Sequence, residues 1–206
     1  MTRVTWDSNE SDRYELGIDR GVLYPRQAPG VPWNGLIAVN ESSEGGGRTS
    51  YYHDGDKFTE GVATTFYQAT LRAYTCPQEF LACIGEREVV PGYILTGQRF
   101  RNFNLSYRTL ISNIGYKIHL VYNVSAMTSP RSNKSRGTTG GAMEQEWKLN
   151  AVPPVPGNFA PTAHFIVNSL ETHPTNLELL ETYLYGNDVN EPAMPPLNVL
   201  IAMINS

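Results

Sequence analysis

A chain of 206 residues, 40% hydrophobic and 17% charged, is long and apolar enough to bury a sizeable core. Its formal charge of -4 gives no general attraction to phosphate, which argues against a dedicated nucleic-acid or anionic-membrane binder and leaves transient contact with DNA open. The opening MTRVTWDSNESDRYE lacks a basic start followed by an apolar run, and no stretch approaches the roughly 18 apolar residues of a spanning helix, so neither export nor membrane insertion is expected.

Residues 15–36, ELGIDRGVLYPRQAPGVPWNGL, hold four glycines and three prolines, and their large apolar groups follow neither a helical nor a strand period. The segment is nevertheless too rich in such groups for a solvated linker. It reads as an irregular, extended N-terminal element, residues 1–36, that packs against something.

Strands are expected next at LIAVNES, around the turn HDGD (53–56), and at TFYQATLRAYT, where Tyr67, Ala69, Leu71 and Ala73 face one way and Gln68, Thr70 and Arg72 the other. Cys76 and Cys83 are too few and too widely spaced for a disulfide scaffold, a zinc site or a thioredoxin motif, and read as unpaired thiols in or near a core. In RNFNLSYRTL, Phe103, Leu105 and Tyr107 alternate with Asn102, Asn104 and Ser106. In YKIHLVYNV, Ile118, Leu120, Tyr122 and Val124 alternate with Lys117, His119 and Asn123, Val121 being the exception. The two runs flank ISNIG and predict neighbouring antiparallel strands.

A long loop is expected from 126 to 142, low in apolar residues and carrying Arg131, Lys134 and Arg136. A connection of that length inside a domain is usually functional or disordered. MEQEWKLNA follows as a strand with Met143, Gln145, Trp147, Leu149 and Ala151 on one face and Glu144, Glu146, Lys148 and Asn150 on a polar one, and AHFIVNS is a further strand. PTNLELLETYLYG predicts one clear helix, about 175–185, with Leu177, Leu180 and Leu184 on its stripe and Gly186 as its stop. A second short helix is expected after Pro195 and Pro196, with Leu197, Leu200, Ile201 and Ile204 buried. The pattern implies an antiparallel β-sandwich or barrel with a flanking helix, in one domain spanning 1–206.

Catalytic and metal signatures are absent from the sequence. His53, His119, His164 and His173 form no local metal spacing, and His119 and His164 fall on or beside the polar faces of their strands, as structural histidines. His53, Asp54 and Asp56 are better explained by a hairpin turn than by a cation site. The glycine runs EGGGRTS and GTTGGAM match neither a P-loop nor a dinucleotide fingerprint, and Glu144 and Glu146 on one strand are poorly placed for a glycosidase. The N-x-S matches at Asn40, Asn104 and Asn123 would matter only in a secreted chain. No enzyme activity, cofactor or metal is expected.

The succession YELGIDRGVLYP, GVPWNGL, YYHDGDKF, ATLRAYTCPQEF, NLSYRT, GYKIHLVYN, PTAHFIVNS and LETYLYG resembles, over nearly the whole chain, the major tail protein (tail tube protein) of long-tailed siphophages infecting actinobacteria. GIDRGVLYP with GVPWNGL, and GYKIHLVYN, carry most of the likeness, whereas the loop 126–142 departs from it. The resemblance implies a β-sandwich or barrel assembling into hexameric rings, stacked head to tail into a virion tail tube through which double-stranded DNA passes. It also implies assembly in the host cytoplasm, with a tape measure protein and tail-end proteins as partners.

On that reading Val22, Leu23, Tyr24 and Trp33 are expected at subunit contacts, the alternative being that their segment packs over an edge of its own sandwich. Arg131, Lys134 and Arg136 would meet carboxylates of the next ring. Asn102, Asn104, Ser106, Glu144 and Glu146 would give the bore a neutral-to-acidic lining along which DNA slides. The runner-up is a virion carbohydrate-binding or decoration module using some of the twelve tyrosines and three tryptophans. A hydrolase is a distant third.

Overall fold

In a computed structural model the chain is described over residues 14–45, 48–54, 56–62, 65–130, 142–154 and 161–204, with the side chains of 48, 49, 59–62, 65 and 204 excepted. In chain order the elements are β1 (Glu15–Pro25), β2 (Val31–Pro32), β3 (Leu36–Gly45), β4 (Arg48–His53), β5 (Asp56–Val62) and β6 (Thr65–Ala73), a 3-10 helix at Gln78–Ile84, then β7 (Arg87–Val90), β8 (Tyr93–Leu95), β9 (Phe103–Ile111), β10 (Gly115–Thr128), β11 (Gln145–Ala151), β12 (His164–Asn168), and the helices α1 (Pro174–Tyr185) and α2 (Leu197–Ile204).

The two alternating runs form the centre of an eight-stranded antiparallel sheet, ordered β2-β1-β9-β10-β11-β6-β3. β10 is long enough to serve two neighbours on one edge, pairing with β12 through Lys117–Val121 and with β11 through Val124–Thr128. The sheet folds over on itself, so that Glu41 of β3, at one end of the strand order, is hydrogen-bonded by Tyr107 of β9. β4 with β5, and β7 with β8, are separate two-stranded hairpins.

The inner face encloses Leu23, Leu71, Phe103, Leu105, Val121, Trp147 and Leu149, all almost fully buried. Trp33 and Phe80 fill its middle, 4.5 Å apart between ring centroids, each edge-on or tilted to Trp147 at 5.6 and 5.2 Å. The 3-10 helix supplies Phe80, Cys83 and Ile84 to this core. On the outer face Val22, Tyr24, Ile118, Leu120 and Tyr122 pack beneath Leu180, Leu184 and Leu200 of the helices. The helices therefore cover the β1-β9-β10 half of the outer face. Over β11, β6 and β3 that face carries polar side chains such as Glu146, Lys148, Arg72 and Gln68.

The fold class and both helices agree with the sequence. Pro174 opens α1 at its first turn, the His173 side chain accepts from the Thr175 amide, and Gly186, with φ 74°, ends it. Cys83 is buried, Cys76 is partly buried, and the two form no disulfide.

The N-terminal element is corrected: residues 15–25 are not irregular but a strand paired with β9. Its period was hidden by two bulges, between Leu16 and Ile18 and between Asp19 and Val22, where Gly17 and Arg20 take φ of 24° and 46°. An extra residue at a bulge shifts the alternation. Beyond the second bulge both faces are covered, so Val22, Leu23 and Tyr24 are all buried. The same logic accounts for Val121, which faces the inner core beside the β10 bulge at Tyr122 and Asn123. The expected loop 126–142 also starts too early, because Ala126, Met127 and Thr128 continue β10 opposite Leu149, Lys148 and Trp147.

Candidate functional site

The residues expected at subunit contacts fall into two groups. Val22, Leu23, Tyr24 and Trp33 are at most 7% exposed within their own chain, so they are core and not contact residues of a folded subunit. Trp33 is fixed twice, by its rings' packing and by its Nε1 donating to the Thr75 carbonyl at 2.9 Å. Arg131, Lys134 and Arg136 lie outside the described residues.

The five residues expected along the bore are not brought together. Ser106 is buried and bonded to the Tyr24 hydroxyl at 3.1 Å, because the outer face of β9 lies under α1, so it lines no surface. Asn102 and Asn104 gather at the β10 bulge: Asn102 donates to the Asn123 side chain and Asn104 accepts from the Asn123 amide, each at 2.8 Å. Glu144 and Glu146 are exposed near the opposite end of β11, Glu144 paired with Arg72 and Glu146 accepting from Ser129 at 3.3 Å. Val152, whose amide donates to the Asn123 carbonyl, lies six positions after Glu146 along extended chain, a span of roughly 20 Å.

Sequence reasoning passed over the exposed apolar groups of the two hairpins. Tyr51, Tyr52 and Phe58 stand on β4–β5, Phe58 being 79% exposed, and Val89, Val90, Tyr93, Ile94 and Leu95 stand on β7–β8, Tyr93 being 72% exposed. His53 and Asp56 of HDGD pair across the end of the first hairpin, with Asp54 at φ 52° and His53 and Asp54 both open to solvent. Pro91 and Gly92 turn the second, where Gly92 has φ 85° and its amide donates to Glu88 at 2.8 Å. The available signal was an apolar content that these short runs cannot bury on each other.

A polar cluster occupies one end of the inner face. His119 of β10 is buried and His164 of β12 nearly so, with His119 Nδ1 3.1 Å from His164 Nε2 and 3.3 Å from Glu41 Oε1. Glu41 Oε2 lies 3.6 Å from His164 Nδ1. Thr109 Oγ1 sits 3.1 Å from His119 Nε2, the Tyr107 ring stacks on His119 at 4.6 Å, and the Tyr67 ring meets His164 at 4.8 Å. Partial burial opposes ionisation of Glu41, but hydrogen bonds from His119 and Tyr107 and the neighbouring imidazoles outweigh it and hold the carboxyl at about 2. Burial pushes His164 down, against the attraction of Glu41. Among the described residues this is the one group of three side chains whose donor atoms converge closely enough to hold a metal ion. The expectation of two structural histidines on a polar face misread that face, which is interior because the sheet folds over it.

No protein-family model matches the chain, and no curated protein matches it significantly.

Proposed function

We propose that the protein is a structural virion subunit that polymerises as stacked rings, six subunits to a ring, into a phage tail tube. The observation that carries this reading is the pair of hairpins, β4–β5 and β7–β8, each a two-stranded sheet apart from the eight-stranded one and each bearing large exposed apolar side chains. Apolar surface of that kind fits docking on another chain. A head-to-tail contact between unlike surfaces is the type that builds open filaments. The outer face of β3, β6 and β11 is the best supply of a bore lining, since its charges are mixed: Arg72 pairs with Glu144, Gln68 bonds Glu44, and Lys148 lies beside Glu146. A surface without net positive charge does not trap DNA by counterion release. Assembly in the host cytoplasm and contacts with a tape measure protein and tail-end proteins belong to the same proposal.

The test is negative-stain electron microscopy of the purified protein over a concentration series, with light scattering on the same samples. Tubes or stacked rings with a central hole are expected. A chain that stays monomeric throughout and binds glycans would replace this reading with a carbohydrate-binding module.

A further inference from the structure

We propose that Glu41, His119 and His164 form a binding site for a zinc-like divalent transition metal that fastens β3 to β10 and β12. Two of the separations come close to those of a coordination shell. Ligands at about 2.0–2.2 Å from a tetrahedral ion stand about 3.3–3.6 Å apart, and His119 Nδ1 lies 3.1 Å from His164 Nε2 and 3.3 Å from Glu41 Oε1. The three donor atoms of the set lie within 4.8 Å of one another. Two imidazoles and a carboxylate suit zinc, cobalt or nickel better than calcium or magnesium, which prefer all-oxygen shells.

The surroundings are those of an oriented site. A ligating imidazole uses its other nitrogen to donate to a second group, which fixes its tautomer. Thr109 Oγ1 is placed to accept from His119 Nε2 at 3.1 Å, which leaves the Nδ1 lone pair for the metal. Tyr107 donates to Glu41, and its ring lies flat against His119, 9° from parallel. His164 Nδ1 lies 3.6 Å from Glu41 Oε2, so its Nε2, which is hydrogen-bonded to His119 Nδ1 in the metal-free chain, is the nitrogen that would ligate. A cleft of about 450 Å³ lined by Glu41, Tyr67, Pro153, Pro161 and His164 gives an ion a way in and room for a water at the fourth position.

The effect is mechanical. β3 is the last strand of the sheet order and, among the described strands, its ladder partner is β6, so a metal would cross-link the folded-over end of the sheet to its centre. Metal-free, the imidazole protons hold the same atoms together by hydrogen bonds, which binding must displace.

The test uses the full chain without a histidine tag. Cobalt(II) is titrated while visible absorption is followed, and zinc chloride is then added to compete; melting temperature is measured with and without zinc. The proposal expects a cobalt band in the region of tetrahedral or five-coordinate complexes, its loss on adding zinc, and a rise in Tm of about 5–10 °C at a hundredfold excess over Kd. His164→Ala and Glu41→Gln should each lose the band and the Tm rise. His164 and Glu41 lie nearer the surface than His119, and circular dichroism of each variant confirms that it is folded. A wild-type chain that shows no band and no Tm shift overturns the proposal. So does a band that persists unchanged in both folded variants, which places the metal elsewhere.

Discussion

The Tyr24 hydroxyl donates to the main-chain carbonyl of Leu184 at 2.9 Å, joining the second strand of the sheet order to the last turn of α1. Ser106 stands 3.1 Å from the same oxygen, so one phenol ties β1, β9 and α1 together beneath the helices. The N-terminal segment is thereby part of the fold of the single chain.

The first prediction follows from that burial. Tyr24→Phe keeps the ring and strands a carbonyl and a hydroxyl, costing about 1–2 kcal/mol. Trp33→Ala removes the indole from the middle of the aromatic group and should cost about 3–5 kcal/mol. Urea unfolding of the monomer checks both. A Trp33→Ala protein of unchanged stability that fails only to assemble would return this residue to the interface.

A second prediction concerns backbone approach. A Cβ at Gly30 would lie 2.7 Å from Tyr24 Cε1 and 3.1 Å from Pro192 Cβ, while the Gly30 amide donates to the Pro192 carbonyl at 2.7 Å. Neither neighbour is free to retreat, since Tyr24 is held at its hydroxyl. Gly30→Ala should destabilise by about 1–3 kcal/mol through overpacking. Equal denaturation midpoints for the two proteins would show that the loop 26–30 yields instead.

A third prediction is a pH dependence. Arg108 forks onto Asp19, with Nε to Oδ1 at 2.8 Å and the second nitrogen to Oδ2 at 2.6 Å, while its guanidinium lies over the Tyr116 ring at 4.4 Å. The Arg108 hydrogen bonds hold the Asp19 carboxyl below its usual range against partial burial, helped by Arg20. A depressed folded pKa contributes stability that is full above the unfolded value, about 3.9, and is lost as pH falls through the folded one. Acidification below about pH 4 should therefore weaken the wild type more steeply than Asp19→Asn, which starts lower at neutral pH by about 1–2 kcal/mol. Parallel stability curves for the two proteins from pH 6 to 2.5 would exclude a contribution from this pair.

How much of this was legible in the sequence depends on whether the deciding signal was local. α1 was readable because Pro174, the Leu177–Leu180–Leu184 stripe and Gly186 all lie within one short segment. The inward set Ala69, Leu71 and Ala73 was readable because β6 keeps its period and only one of its faces is covered by core. β1 was not, because its bulges interrupt the period and its second half is buried on both sides. The polar cluster was least legible of all. Glu41, His119 and His164 come from three strands, and it is the folding-over of the sheet, a property of topology, that makes them neighbours. The exposed apolar hairpins lay between: their composition was visible, but that Phe58 and Tyr93 stay uncovered by the described residues was not.

The last prediction separates folding from assembly. Phe58 and Tyr93 are exposed and lie on hairpins outside the main sheet, so Phe58→Ser and Tyr93→Ser should each change monomer stability by no more than about 0.5 kcal/mol. If these side chains dock on a neighbouring subunit, each loss removes apolar burial worth about 1.5–3 kcal/mol per contact. The concentration at which tubes appear should then rise tenfold or more, since each 1.4 kcal/mol is a factor of ten. Light scattering across a dilution series reads that threshold, and urea unfolding of the same preparations reads the monomer. Thresholds unchanged in both variants would move the subunit contacts off these hairpins, whereas loss of monomer stability would mean that the hairpins pack on their own chain in solution.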